Sequence, residues 1–438
     1  MSASRTGLSS RCHLVLRNSP FVGNLLDIPR EHQWEAYHRW SKALNSDIIH
    51  LDAAGKSIIV LSSMEAIGDL FEQRSSLYSG RLRLPMLVEL MGWDFAFPFI
   101  DYGDEWRSHR KLFYQAFNLS AAKQFHPQET AAVHEVLRRF LQNPHDIMGN
   151  FRHMTGALIM DIAYGIKVLP SDDPYIQMVE KAMHDLSNAS IPGAFLVVSN
   201  EDTFPSLKYV PSWFPGTGFK RKAKEWRKIV REVLEKPFHE TKRNIPLCML
   251  RGADSTVSAL GTFVLAMLAN PEAQIIAQGE IDSVIGLGNL PDFADEPSLP
   301  YVSAIVKEVL RWRNVTPIAF PHYITVDDEY RGYRIPAGSL VIGNTWAILH
   351  DQDIYAEPHS FKPERFLLDG KINTAVRDPE TAAFGFGRRI CPGRYMATAS
   401  IWIAVASMLA AFDIKKAVDE EGRVVEPSFE YSSTGVVS

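Results

Sequence analysis

The sequence predicts a mainly α domain with a small β region. Three observations carry this: several long runs have apolar residues at helical spacing, only two short stretches alternate as hairpins do, and the 438 residues are 46% hydrophobic and 22% charged. A chain of that size and balance can bury an extensive core. No repeat or low-complexity linker divides it. The expected organisation is an irregular N-terminal segment over 1–19 without a transmembrane helix, followed by a single domain over 20–438.

Along the chain, Met1-Ser2-Ala3-Ser4-Arg5 leads only to the short apolar run Leu14-Val15-Leu16, whereas a membrane-spanning helix needs about 20 apolar residues. Asp47–Leu51 and Ser57–Leu61 alternate around Ala53-Ala54-Gly55-Lys56 and read as a hairpin. Helical spacing then marks Gln128–Gln142, Phe219–Leu234, Val257–Leu268 and Glu272–Val284. A second hairpin is expected after the helix that holds Glu308, where Gly332-Tyr333-Arg334-Ile335-Pro336-Ala337-Gly338 ends in a proline–glycine turn. The last helix is Tyr395–Phe412. The basic run Lys220 to Lys228 is either a solvated helix face or a contact for an acidic membrane surface.

Composition excludes some functions. A net charge of −5 argues against a nucleic-acid partner. Cys12, Cys248 and Cys391 are too few and too scattered for a disulfide framework, which fits a reducing, cytosol-facing location, and they offer no zinc spacing.

The chemistry concentrates in Phe384-Gly385-Phe386-Gly387-Arg388-Arg389-Ile390-Cys391-Pro392-Gly393, a glycine-rich loop that presents one cysteine ahead of an apolar helical run. A thiolate is a strong donor to haem iron, provided it is kept ionised, shielded and aimed. Gly387 and Gly393 allow a tight fold beneath a porphyrin, and the following helix N-terminus favours negative charge on sulfur. Phe384 would cover the sulfur, and Arg389 is placed to meet a haem propionate. Cys391 would be the axial iron ligand. A buried structural cysteine is the alternative for a lone thiol, but F-x-x-G-x-R-x-C-x-G fixes five positions over ten residues.

On these residues the chain resembles the cytochrome P-450 family, a haem-thiolate monooxygenase fold in which haem b lies between the cysteine loop and a distal oxygen-activation helix. Further motifs stand in the order the family requires. Glu308 and Arg311 form its E-x-x-R pair, and Phe361-Lys362-Pro363-Glu364-Arg365-Phe366 supplies the arginine, Arg365, that completes a buried triad. Trp106 and Arg110 match its W-x-x-x-R propionate pair. Arg107 and Lys111 form a neighbouring basic stripe that would face an electron-donating reductase or simply solvent. His322 lies where the family often has another propionate contact, a satisfied loop histidine being the alternative. Gly252-Ala253-Asp254-Ser255-Thr256 fits the oxygen-helix pattern: Gly252 would widen the helix for dioxygen, and Asp254 and Thr256 would be the catalytic proton carriers. Read without the family, Asp254 and Ser255 are an N-cap signal.

The sequence also departs from the pattern. Arg251 stands where the family has a small residue, and the run from Phe238 to Gly252, which contains Pro246, is several tens of residues shorter than the family's. Pro20–Pro29 is similar to the segment just after the membrane hinge in fungal, basidiomycete microsomal members, while Phe429–Ser438 stops inside the expected last hairpin. These departures suggest a truncated or unusually spliced copy.

The resemblance implies a monooxygenase drawing electrons from NADPH through cytochrome P-450 reductase. It also implies the cytosolic face of the endoplasmic reticulum, or a cytoplasmic or peripheral place for want of an anchor. Its pocket would be lined from Arg81–Asp101, Ser190–Phe214, Leu250–Thr256 and Val315–Phe320, where Leu84, Met86, Leu87, Phe95, Phe97, Ile191, Phe195, Ile318 and Phe320 favour a lipophilic small molecule. Fungal secondary metabolism, for example of terpenoids, or xenobiotic oxidation is the expected setting. The alternative is a non-catalytic, haem-binding copy.

Overall fold

The computed structural model describes residues 22–190, 209–211, 213–214, 217–241 and 252–430. They pack as two units, one made of the chain up to Leu82 with Pro317–Ile348 and Gly385–Ile390, the other of Arg83–Thr316, Leu349–Phe384 and the chain from Cys391 on.

The first unit is built on a four-stranded sheet whose order is β1 (Ile48–Ala53), β2 (Lys56–Leu61), β6 (Leu340–Gly343), β3 (His322–Tyr323). β1 (Ile48–Ala53) pairs antiparallel with β2 (Lys56–Leu61), Ile48 opposite Leu61. The connecting residues Ala54 and Gly55 have φ of 53° and 85°, the paired positive values of a tight turn that matches the strand twist. β2 runs parallel to β6 (Leu340–Gly343), and β3 (His322–Tyr323) antiparallel to β6. Tyr37, Ile49, Leu51, Val60 and Ile342 form the core beneath. A second hairpin, β4 (Asp328–Tyr330) with β5 (Tyr333–Ile335), is present, but its turn differs from expectation. The chain reverses at Arg331-Gly332, φ 50° and 79°, and Pro336–Gly338 leads on to β6 instead.

The second unit is helical. The expected helices appear as His126–Gln142, Gly218–Thr241, Gly252–Ala269, Pro271–Val284 and Arg394–Ala411. Three match their expected limits to within two residues, and two run further. Gly218–Thr241 continues through Pro237, and Gly252–Ala269 already holds Asp254 in its first turn, so Asp254 lies inside the helix and is not its cap. Ile147–Tyr164 escapes a periodicity reading because ten of its residues are buried, and a helix apolar on most sides shows no stripe. The largest core gathers around Arg394–Ala411, where Trp402, Ile403 and Val405 meet Phe263, Ile305 and Val309. Arg394–Ala411 is long and apolar enough to cross a membrane, yet 61% of it is buried inside the protein; it is a core helix.

Arg251, Pro246, Cys12, Cys248, Ile191, Phe195 and residues 431–438 lie outside the described residues, as do 242–251 of the run from Phe238 to Gly252 and the N-terminal segment over 1–19.

Candidate active site

Cys391 sits at the mouth of its helix, two residues before the helix N-cap Gly393. Its N–H donates to the Phe384 carbonyl at 2.8 Å, so Phe384 holds the loop through its backbone, while its ring packs against the largest core. Burial pushes the Cys391 thiol up; the Gly393 N–H, Arg110 and Arg394 pull it down. All three oppose the cost of a buried thiolate with positive charge or a donor. Arg394 also donates to the Cys391 carbonyl at 3.4 Å and to the Tyr395 hydroxyl at 2.7 Å, its guanidinium 4.2 Å from the Tyr395 ring.

Arg110, in Asp104–Phe117, acts on this sulfur through its charge. Desolvation lowers its pKa, with the Cys391 charge opposing and Arg394 reinforcing. Trp106, one turn earlier, is buried and stacked on Phe97 with ring centroids 5.5 Å apart. Met396 of the cysteine helix belongs to the same aromatic cluster, and this packing seats the helix beside the thiol. Arg107 and Lys111 are exposed, with Arg107 ion-paired to Asp104.

The preceding residues of the loop belong to the first unit. Gly387 has φ of +56°, and a Cβ there would lie 2.0 Å from the Phe71 carbonyl oxygen, so the position needs glycine. Arg389 donates from Nε to the Ser79 carbonyl at 2.8 Å. His322 is 3% exposed, stacks on Phe71 at 4.0 Å, and bonds Tyr78 O through Nδ1 at 2.5 Å. Burial, with Arg81 and Arg389 reinforcing it, holds the imidazole well below its usual range. Since a carbonyl only accepts, Nδ1 carries the N–H in this bond, and in the neutral ring Nε2 keeps a lone pair.

In Gly252–Ala269, Thr256 is buried, while Asp254 lines a cleft of about 20 Å³ with Arg152, Thr155, Tyr175 and Glu180. That is room for a single water. Two residues apart on a helix, Asp254 and Thr256 point to different sides.

Glu308, Arg311 and Arg365 meet in the second unit. Arg311 grips the Glu308 carboxylate at 2.7 and 2.8 Å and donates to the carbonyls of Leu349, Pro358 and Ser360. Arg365 reaches Glu308 at 3.2 Å, and the Lys362 N–H adds a fourth donor at 2.8 Å. Glu308 and Arg311 are fully buried. Satisfying every buried polar atom is what makes such a cluster tolerable, and its benefit is fixed geometry more than stability.

A model of the cytochrome P-450 family matches residues 15–247 and 238–430. The chain belongs to the cytochrome P-450 family. It is 44% identical over 450 residues to cytochrome P-450 monooxygenase 98 of Postia placenta, covering 95% of this chain and 86% of that one. Identity to cytochrome P-450 monooxygenase ple1 of Rhodocybe pseudopiperita is 42% over 447 residues (94% and 84%), and to tryptamine 4-monooxygenase of Psilocybe cyanescens 40% over 443 residues (93% and 86%). The fold is that of the family, the cofactor is haem, and the chain is a monooxygenase; relatives of this name along most of their length weigh against a non-catalytic copy. The two matched stretches overlap over 238–247, inside the run from Phe238 to Gly252.

The cytochrome P-450 cofactor fits the residues present. The thiol has a backbone donor and the charges of two guanidinium groups to stabilise its anion, and a Cβ built on Gly393 meets no described atom within 4 Å, so the loop is open at that position. Two residues here escape a reading of the sequence. Arg394 has a local signal, since it directly follows Gly393. Arg81 has none: it donates to the carbonyls of Phe320 and Pro321, more than two hundred residues away in the chain.

Proposed function

We propose that this monooxygenase inserts one atom of O2 into a C–H bond of a lipophilic small molecule, with Cys391 as axial ligand of haem b. The observation that carries the proposal is the loop around Cys391, whose N–H bonds the Phe384 carbonyl at 2.8 Å two residues ahead of the helix N-cap Gly393, with the Gly393 N–H and the charges of Arg110 and Arg394 favouring its anion. Bound haem supplies the iron at which dioxygen is activated. The chain's own residues hold and protect that group. Trp106, Arg110 and Arg389 would hold its propionates, Phe384, Gly387 and Gly393 shape the loop, and the Glu308, Arg311 and Arg365 cluster fixes the segment that leads to it. His322 would join them as an imidazolium, a state that a neighbouring propionate would favour.

Protons would travel through Gly252–Ala269. Asp254, which lines the water-sized cleft, would take them up, and the buried Thr256 hydroxyl would hold one on the opposite side of the helix. Electrons would come from NADPH through cytochrome P-450 reductase, at the cytosolic face of the endoplasmic reticulum. The apolar residues Met86, Leu87 and Phe97, together with a relative that bears the name tryptamine 4-monooxygenase, support an aromatic or terpenoid substrate of fungal secondary metabolism, or a xenobiotic. Residues 20–438 would act together as one haem-thiolate domain.

The test is the absorption spectrum of haem-loaded protein, reduced and exposed to carbon monoxide. Thiolate ligation gives a far red-shifted Soret band, which Cys391→Ser should abolish. A Soret band at the shorter wavelength of histidine-ligated haem in the unsubstituted protein would overturn the assignment.

A further inference from the structure

Four consecutive residues, Tyr78-Ser79-Gly80-Arg81, act as one anchor for the segment that runs into β3. Tyr78 O accepts from His322 Nδ1 at 2.5 Å, and Gly80 O accepts from the Tyr323 N–H at 3.0 Å. Arg81 completes the set. Its Nη1 donates to Pro321 O at 2.8 Å and to Phe320 O at 3.3 Å, and its guanidinium carbon lies 4.8 Å from the centroid of the Phe320 ring. The side chain is 8% exposed. A guanidinium this buried, bound to the Phe320 and Pro321 carbonyls and lying against the Phe320 ring, restrains Phe320. On the other side the Ala319 N–H is tied to Gly343 O at 2.9 Å, and Phe320 itself is half-buried.

We infer that Arg81 is a positioning residue for substrate selection: it sets the place of the Phe320 ring, and so the size of molecule the pocket admits. The inference rests on the proposed reading that Val315–Phe320 lines the substrate pocket. A fixed aromatic wall excludes or admits a ligand by size, whereas a ring released from its clamp can swing aside. Discrimination between large and small ligands is then the property Arg81 controls.

The test uses the haem-loaded ferric protein and two probes that bind iron through an imidazole nitrogen, imidazole itself and 4-phenylimidazole, each titrated by its Soret shift. Arg81→Gln should leave imidazole affinity within about twofold and change phenylimidazole affinity about tenfold or more, a difference on the order of 1.4 kcal/mol. Arg81→Lys, which can keep one carbonyl bond without the planar fork, should fall between. Phe320→Ala should shift phenylimidazole in the same selective way, and the double substitution should add little to either single one, since the two would act on one wall.

If Phe320→Ala leaves both probes unchanged, the pocket reading of Val315–Phe320 fails. If Phe320→Ala shifts phenylimidazole but neither Arg81 substitution does, or if the effects simply add, the positioning role fails while the pocket reading stands. Equal loss of both probes in Arg81→Lys, the gentler change, would mean Arg81 only supports the fold and would overturn the inference.

Discussion

At the scale of single residues, glycine chemistry separates two positions that look alike in the sequence. Gly387 and Gly393 both belong to the cysteine-loop motif, and the motif alone predicts a tight turn at each. Only Gly387 has a positive φ and a backbone atom, the Phe71 carbonyl oxygen, where a Cβ would go. Gly393 has φ of −93° and open space. Gly387→Ala should therefore cost several kcal/mol, since it forces both left-handed strain of about 1 kcal/mol and a backbone displacement. Gly393→Ala should change the stability of the haem-free protein by about 1 kcal/mol or less, and any loss of haem uptake it causes would then arise from the space it fills. Chemical denaturation of the haem-free forms distinguishes the two, and equal destabilisation would contradict the backbone geometry of the loop. The same scale marks the limit of motif reading. A pattern specifies residue types at chain spacing, so it finds Cys391 and Arg389, but it cannot find Arg81, whose partners are distant in sequence.

At the scale of elements, the helix that carries Cys391 is held against His126–Gln142 by one buried polar contact. Ser400 Oγ donates to Glu129 Oε1 at 2.7 Å, and Glu129 Oε2 has no hydrogen-bond partner among the described residues. Glu129 is 1% exposed, and burial raises its carboxyl pKa from 4.5 to about 7, Ser400 opposing. Proton counting gives the sign: the folded protein keeps a proton that the unfolded chain releases between pH 4.5 and about 7, so stability falls as pH rises through that window and is flat above it. The shift corresponds to roughly 3 kcal/mol. Glu129→Gln keeps an acceptor for Ser400 and cannot ionise, so it should flatten this part of the stability–pH curve and stabilise the protein most above pH 7. Urea unfolding at a series of pH values measures both slopes, and parallel curves for the two proteins would exclude Glu129 as their source. Sequence could not have singled out this carboxylate. Glu129 lies in the first turn of its helix, where an acid ordinarily faces solvent and complements the helix dipole.

For the whole molecule, the legible parts are those in which local chemistry and tertiary structure agree. Amphipathic helices such as His126–Gln142 and the β1–β2 hairpin can be read from periodicity and turn residues, and the motif order of Trp106, Glu308, Arg365 and Cys391 carries the family. Less legible are elements whose character comes from burial, Ile147–Tyr164 above all, and hairpin limits set by positive φ at Arg331, a residue with no intrinsic preference for it. The same view joins core and site in the second unit. Arg394–Ala411 bears Cys391 just ahead of its first turn and the largest core along its length, with Trp402 2% exposed and its Nε1 donating to Ser303 Oγ at 3.1 Å. Because one helix serves both purposes, a cavity in the core should loosen the thiolate even though it touches nothing near it. Trp402→Ala should cost about 3–5 kcal/mol, and in haem-loaded protein the thermal midpoint for losing the red-shifted carbon monoxide band should fall together with the midpoint for helix loss by far-ultraviolet circular dichroism. If the helix midpoint falls and the thiolate band holds its own, the cysteine loop is stabilised independently of the core on which its helix rests.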